Sequence, residues 1–279
     1  MYIKGDFHVH TNASDGKYSP KEIIKLAKSE NLPIISITDH DTTKSLEEAI
    51  HYGEQYNVKV IPGIELSTVY NDSNVHVLGY FKDKNYNNKE LKIFEKGKKE
   101  CRLERAKKIV KNLYNIHNIH ISFDKIVKES KGIISRPHIA KAIIDSGYNY
   151  SWEYIFKNLI GSNCKAYVPN KKLTTEDGIK LLEHSGALPV LAHPILIKNI
   201  NIEKLLKLPF KGIEAVYYMN KKEDTLKFKK LASKYNKIIT GGSDFHGITK
   251  TDGSHPLKIG ATTLDRENIN ILLQKINSL

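Results

Sequence analysis

Cysteine is close to absent: Cys101 and Cys164 are the two in 279 residues, and they form no CxxC pair. They supply neither a disulfide framework nor a thiolate metal site, and they point to a reducing, cytoplasmic setting. No apolar run is long enough to span a bilayer, so no membrane association is expected. The N-terminus, Met1-Tyr-Ile-Lys-Gly-Asp-Phe-His8, lacks the basic-then-apolar layout of a signal peptide. Internal repeats and low-complexity linkers are missing, and nothing in the sequence calls for an obligate protein partner. With 40% hydrophobic and 27% charged residues, the composition is that of a globular protein and excludes a disordered chain. Acids are in deficit: 31 Asp and Glu face 44 Lys and Arg, a net charge of +13. Such a field favours encounter with phosphate-bearing partners. Lysine is abundant throughout the chain, however, so charge alone identifies no function.

The length suits one large α/β domain, or one that carries an insertion. Strand-like runs at 2–9, 33–38, 58–61 and 75–81 alternate with helical patterns at 20–30 and 45–56. Ser19 as N-cap and Pro20 at the first helical position open the first helix. This alternation predicts a parallel barrel or a doubly wound sheet. The rhythm then turns all-helical: a long basic helix over 88–117 is followed by helices over 123–130, 137–146 and 152–159. Residues 85–170 therefore read as a helical insertion between two parts of one α/β domain, 1–84 and 171–279. The second part carries helices at 175–185, 202–206, 221–235 and 266–276 and strands at 188–192, 212–215 and 238–240.

The decisive feature is where histidines and acids fall. In Asp6-Phe-His8-Val-His10 the imidazoles are two apart, so on a strand they face the same way. They lie at the C-terminal end of that strand, the rim on which barrel enzymes place their chemistry. Asp15 follows in a loop that can bend back to the rim. The second strand ends in Thr38-Asp-His40-Asp41 and the third in Gly63-Ile-Glu65-Leu-Ser67. The fourth begins with Val75-His76-Val77. Beyond the helical block, Leu191-Ala-His193-Pro194 and Gly241-Gly-Ser-Asp244-Phe-His246 again sit at strand ends. Each segment alone is a weak signal; together they are poorly explained as core histidines or helix caps. Imidazoles and carboxylates without thiolates suit manganese, iron or zinc. Nine such donors are too many for one ion and suit two or three, with a carboxylate bridging two of them. Clusters of this kind recur in phosphoester hydrolysis. His51, His184, His117 and His120 read as surface, packing or helix-end residues, and His255 as a loop residue within possible reach of the site. Asp41 reads as a partner that orients a ligand histidine. Lys17 and Tyr18 suit a turn-and-cap role as well as a substrate-facing one.

In these motifs the chain resembles the PHP (polymerase and histidinol phosphatase) family, with His8, His10, Asp15, His40, Glu65, His76, His193, Asp244 and His246 all at ligand positions in family order. The resemblance implies a distorted (β/α)7 barrel, an α/β fold, with a trinuclear site. One ion would be held by His8, His10, Glu65 and Asp244. A second would be held by Glu65, His76 and His193, with Glu65 bridging, and a third by Asp15, His40 and His246. The implied nucleophile is a metal-bridging hydroxide; no side chain is singled out as general acid or base. Within the insertion, Cys101-Arg102-Leu-Glu-Arg105-Ala and Ser135-Arg136-Pro-His138-Ile-Ala140 resemble the stand-alone small phosphoesterase branch. Members of that branch dephosphorylate nucleotides such as 3′,5′-bisphosphates or trim short RNA from the 5′ end. The implied function is metal-dependent hydrolysis of nucleotide phosphate monoesters, with manganese foremost and zinc or iron as the other cations. Arg102, Arg105, Arg136 and His138 would contact substrate from a lid made by the insertion. The alternatives are a 5′-3′ exoribonuclease on short RNA, a histidinol-phosphate phosphatase, and a non-enzymatic nucleic-acid-binding module that uses metals structurally.

Overall fold

A barrel wall needs strands whose inward residues are apolar and whose rims carry the polar chemistry, and the first strand already has that pattern. A computed structural model describes residues 2–130, 134–169, 173–248 and 255–279. The strands are β1 (Lys4–Val9), β2 (Ile34–Ile37), β3 (Lys59–Tyr70), β4 (Ser73–Phe81), β5 (Leu173–Thr174), β6 (Ala187–Leu191), β7 (Gly212–Tyr217), β8 (Ile238–Gly242) and β9 (Leu264–Asp265). The helices are α1 (Pro20–Ser29), α2 (Leu46–Tyr56), α3 (Lys89–His117), α4 (Phe123–Glu129), α5 (Arg136–Asp145), α6 (Trp152–Tyr154), α7 (Thr175–His184), α8 (Ile202–Leu206), α9 (Lys222–Lys234) and α10 (Arg266–Asn277). Among the described residues no helix is long and apolar enough to cross a membrane, and both cysteines are free.

The strands form one mixed sheet in the order β8-β7-β6-β4-β3-β2-β1-β9, with β5 added to β3. The sheet curls until β1 meets the segment after β8. Val9 bridges Phe245, and the His10 amide donates to the Phe245 carbonyl at 2.9 Å. This nearly closed barrel has β1, β2, β3, β4, β6, β7 and β8 as its staves. Closure depends on a close approach: a Cβ on Gly242 would stand 2.5 Å from His8 Cβ and from the His8 nitrogen. Inside and below, Phe7, Ile34, Leu78, Tyr80, Val190 and Leu272 make one buried apolar cluster.

Two expectations are corrected here. The barrel is not all parallel, because β4 runs antiparallel to both β3 and β6. The strand expected at 58–61 continues for 12 residues and turns directly into β4. The reason lies in Asn71 and Asp72, both at positive φ (44° and 62°), a two-residue hairpin loop that pairs Tyr70 with Ser73. Glu65 is therefore interior to β3 rather than at its end.

Two compact units divide the chain, Met1–Lys92 with Lys172–Leu279, and Ile93–Lys171. The boundary expected at residues 170–171 lies outside the described residues. The second unit is helical and has its own core, in which Ala106, Ile109 and Leu113 of α3 meet Ile126, Ile139 and Ile143. The helix expected over 152–159 is a single α-helical turn, α6, followed by a π-helical turn over Ile155–Leu159.

Gly242→Val is expected to destabilise the protein by about 1–3 kcal/mol through overpacking against His8. Thermal denaturation followed by circular dichroism will measure it, with no change in Tm as the contrary outcome.

Candidate metal centre

His8 lies on β1 and His10 just past its end, and their rings stand 5.1 Å apart on one side, as alternation along a strand requires. His40 follows β2 and bridges to Glu65 on β3. His76 is on β4, one strand over. His193 follows β6, and Asp244 and His246 follow β8. Asp15 comes from the loop after β1. Three non-glycine residues here sit in the left-handed region: Asp41 (φ 54°), His193 (φ 23°) and Asp244 (φ 55°). Such backbone is costly and is held by its surroundings.

Glu65 is the hub, fully buried with imidazoles around both of its oxygens. His8 Nε2 (3.3 Å), His10 Nε2 (3.3 Å) and His40 Nδ1 (3.1 Å) face Oε2. His76 Nδ1 (2.8 Å) and His193 Nε2 (2.9 Å) face Oε1. Asp244 Oδ1 lies 3.4 Å from His8 Nε2 and 3.1 Å from His10 Nε2. Asp15, with a side chain 56% exposed, stands 3.2 Å from His246 Nε2 and 3.8 Å from His40 Nε2. All nine expected donors therefore come to one rim.

Several of these buried atoms approach one another without hydrogen-bond geometry. His8 Nε2, both nitrogens of His10, His40 Nδ1, Glu65 Oε2 and Asp244 Oδ1 make no hydrogen bond. Buried polar atoms are ordinarily satisfied, and here the atoms left over are lone-pair donors of the kind that coordinate cations. The residues fit a metal. Ligand atoms within 4.8 Å of one another form the groups His8–His10–Glu65–Asp244, His10–Asp15–His40–His246, His40–Glu65–His76 and Asp244–His246–His255. The first group has the composition expected for one ion. The Asp15–His40–His246 set gains His10. In the third group His40 takes the place expected for His193, although His193 touches the same Glu65 oxygen as His76.

Charge is balanced inside this cluster. Burial raises the Glu65 carboxyl, but the surrounding imidazoles, His40 and His76 first, outweigh it and hold Glu65 well below the usual range. Burial is likewise outweighed at His10, where the carboxylates of Asp244 and Glu65 push it up to about 10. At His40 burial wins, and its imidazole is lowered. These directions describe a cluster in which protons hold the positions that cations would compete for, so metal binding would release them.

A surrounding set of groups orients the donors. His8 Nδ1 donates to Glu214 Oε1 at 3.0 Å, which leaves Nε2 free to coordinate. Glu214 Oε2 accepts from the His193 amide at 2.7 Å. His246 Nδ1 donates to the Asp244 carbonyl at 2.8 Å, again leaving Nε2. Tyr217 Oη donates to Asp244 Oδ2 at 3.0 Å. Asp39 gathers the Thr11 amide (2.8 Å), the Thr11 hydroxyl (2.7 Å), Ser14 (2.6 Å) and Ser45, and so shapes the loop that carries Asp15. Asp6, pushed by burial up to about 6, accepts from the amides of Ser243 and Gly260, each at 2.9 Å, and ties both segments to β1.

Sequence reasoning missed Glu214, Tyr217 and Asp39. Glu214 had a legible signal, an acid alone inside the apolar run Gly212-Ile-Glu-Ala-Val216. The strand pairing is also irregular there, which re-aims side chains. Asp41 Oδ1 accepts from the Ser67 amide at 2.9 Å and so secures β3, and its charge acts on the His76 imidazole. His255 comes to the cluster, its ring 4.1 Å from that of His246. Tyr18 stacks on Phe245 at 6.1 Å, a packing role.

The four residues expected to touch substrate lie in the helical unit. The Arg105 and Arg136 guanidinium carbons each stand 5.5 Å from the Tyr167 ring, and Arg136 also lies 5.9 Å from Phe156. Burial lowers Arg105, with the charges of Arg136 and Arg102 adding to the effect, which marks a concentration of positive charge. His138 Nδ1 accepts from the Ser135 amide at 3.1 Å as part of a helix cap, so its Nε2 carries the proton.

Manganese added to metal-stripped protein is expected to raise the melting temperature, by an amount equivalent to about 2.7 kcal/mol at roughly a hundred times Kd. Glu65→Gln should remove that rise. Scanning calorimetry with and without the cation checks both, and an unshifted transition in the wild type would overturn the metal assignment.

The chain is 29% identical over 250 residues to the 3′,5′-nucleoside bisphosphate phosphatase of Chromobacterium violaceum, with 86% of each chain covered. It is 31% identical over 193 residues to the 5′-3′ exoribonuclease Rnm of Salmonella typhimurium, covering 68% of this chain and 64% of that protein. Among solved structures, an amidohydrolase from Chromobacterium violaceum, with bound sulfate and no metal, superposes with a TM-score of 0.77 at 26% identity over 98% of this chain and 96% of that one. A protein from Bifidobacterium adolescentis put forward as a metal-dependent phosphoesterase gives 0.78 at 26% identity, over 97% and 95%. The PHP domain model matches residues 6–242, most of the chain, and the chain belongs to the PHP domain family.

Proposed function

We propose that this protein is a metal-dependent phosphoesterase that hydrolyses phosphate monoesters of nucleotides, with nucleoside 3′,5′-bisphosphates as the leading substrates. The observation that carries the reading is the buried Glu65 carboxylate with His8, His10, His40, His76 and His193 at its two oxygens, beside Asp244. Two or three divalent cations held by His8, His10, Asp15, His40, Glu65, His76, His193, Asp244 and His246 would supply Lewis acidity, a water of lowered pKa and neutralisation of the leaving group. Manganese is the first choice, with zinc or iron next, because the donors are imidazoles and carboxylates.

The chain's own residues set the geometry. Glu214 and the Asp244 carbonyl fix the tautomers of His8 and His246 so that each presents Nε2. Tyr217 takes one oxygen of Asp244 and leaves the other facing His8 and His10. The cluster reaches solvent through Asp15, His40 and His76, whose side chains are 56%, 19% and 28% exposed, and that is where an anionic ester would enter. Arg136, Arg105 and Arg102 would recognise a second phosphate by forked hydrogen bonds, with His138 offering Nε2–H.

A second reading is 5′-3′ exoribonuclease action on short RNA, which uses the same centre and is supported by the relatives of that name. Comparing phosphate or nucleotide release from a nucleoside bisphosphate and from a short oligoribonucleotide separates the two.

Asp244→Ala is expected to abolish turnover while the far-ultraviolet circular dichroism stays that of the wild type. Glu214→Gln should lower metal affinity or activity by about 10–100-fold. Arg136→Ala should raise KM for bisphosphates by roughly tenfold or more, the loss of a charge-assisted hydrogen bond, with little change in kcat. Steady-state phosphate release with each cation measures all three, and unaltered kinetics in Arg136→Ala would remove the specificity account.

A further inference from the structure

The basic charge of this chain is concentrated in one part of it. Residues 93–171 carry 16 Lys and Arg against 7 Asp and Glu, a net +9 of the chain's +13 in fewer than a third of its residues. The same helical unit carries an unusual run of aromatic side chains in Tyr148-Asn-Tyr150-Ser-Trp152-Glu-Tyr154-Ile-Phe156. Packing uses Tyr148, Tyr150 and Phe156, which lie partly buried against the helical core, and leaves Trp152 and Tyr154 open. Tyr148 and Tyr150 stack at 6.1 Å with planes 4° apart, and Tyr150 and Tyr154 at 4.9 Å and 10°. Trp152 leans on Phe156 at 5.4 Å. Yet Trp152 is 47% and Tyr154 45% exposed, on a turn capped by Ser151. Tyr148 is held in place by its hydroxyl, which accepts from the His120 amide at 2.8 Å. Arg136 continues the row from Phe156 to Tyr167.

Two exposed rings backed by stacked, partly buried ones and followed by guanidinium groups form the combination that single-stranded nucleic acid uses: bases stack on rings while cations meet the backbone. A protein partner would be served by a contiguous apolar patch with few charges at its centre; here the rings are interleaved with Asn149, Ser151 and the exposed Glu153, and the exposed Lys157 follows them. We propose that Trp152 and Tyr154, the latter backed by the stacked Tyr150, form a base-stacking platform for single-stranded RNA, with Arg136 and Lys157 as its phosphate contacts. The inference extends the nucleotide reading above from the terminal phosphate to the following nucleotides, and it rests on residues of the helical unit alone.

The chain has one tryptophan, Trp152, so its fluorescence reports on the platform directly. Full-length metal-loaded protein is titrated with a six-nucleotide single-stranded RNA carrying non-hydrolysable phosphorothioate links, with the same RNA as a duplex, and with a mononucleotide. Saturable quenching by the single strand is expected, with the duplex and mononucleotide much weaker and affinity falling as salt rises. The double substitution Tyr150→Ala with Tyr154→Ala, which retains the probe, should weaken binding by about tenfold or more, while Tyr154→Phe retains it. Unmoved tryptophan emission, equal quenching by duplex, or undiminished binding by the folded alanine variant would overturn the platform. A concentration-dependent mass increase of the wild type that the alanine variant lacks would assign the rings to a protein contact instead. Because binding is read without turnover, protein that binds RNA but releases no phosphate defeats the phosphoesterase reading alone, and protein that releases phosphate but leaves the RNA unbound defeats this inference alone.

Discussion

A carboxylate buried at the centre of a protein is tolerated when positive charge surrounds it, and the barrel here is organised around meeting that condition for Glu65. Its two oxygens divide five imidazoles from four different chain segments between them. Removing a charged group from water costs far more than any single contact returns. The cluster is therefore stable in one of two conditions, with protonated imidazoles or with cations among neutral ones. The unsatisfied nitrogens and carboxylate oxygens favour the second, since coordination uses the lone pairs that hydrogen bonding leaves idle.

The rest of the barrel holds that arrangement in register. Asp6 ties β1 to the chain after β8, Asp39 ties the Asp15 loop to β2, and Glu214 ties His8 to His193. These buried acids touch donors or the loops that carry them, so each connects the closure of the sheet to the aim of an imidazole. The strained backbone at His193 and Asp244 follows from the same demand. A regular strand end would send those side chains elsewhere.

The helical unit is built differently. Its charges are predominantly guanidinium and ammonium groups, and Trp152 and Tyr154 stand exposed beside rings that pack on its core. Its helices enclose an apolar core of their own, which leaves the surface free to carry a net charge.

Much of this was legible in the sequence. His8 and His10 could be placed on one face because strand geometry alternates, and the ends of β2, β6 and β8 announced themselves as apolar runs closing in His or Asp. The cap at Ser19 and the helix α8 fell where their local signals put them. Other features were not legible. The antiparallel β4, and with it the interior position of Glu65, depended on a hairpin whose two turn residues sit at positive φ, a local conformation with a long-range consequence. Tyr217 and Asp39 matter chiefly through residues far away in the chain, which no local pattern encodes, and the lone acid Glu214 stood out in its apolar run without revealing which imidazole it would orient. The sequence by itself determined which side chains are available for metal chemistry, because side-chain type and strand periodicity are local properties. Only the tertiary structure decided which of them share an oxygen of Glu65 and which serve to orient the others, because those distances exist only once the sheet has closed.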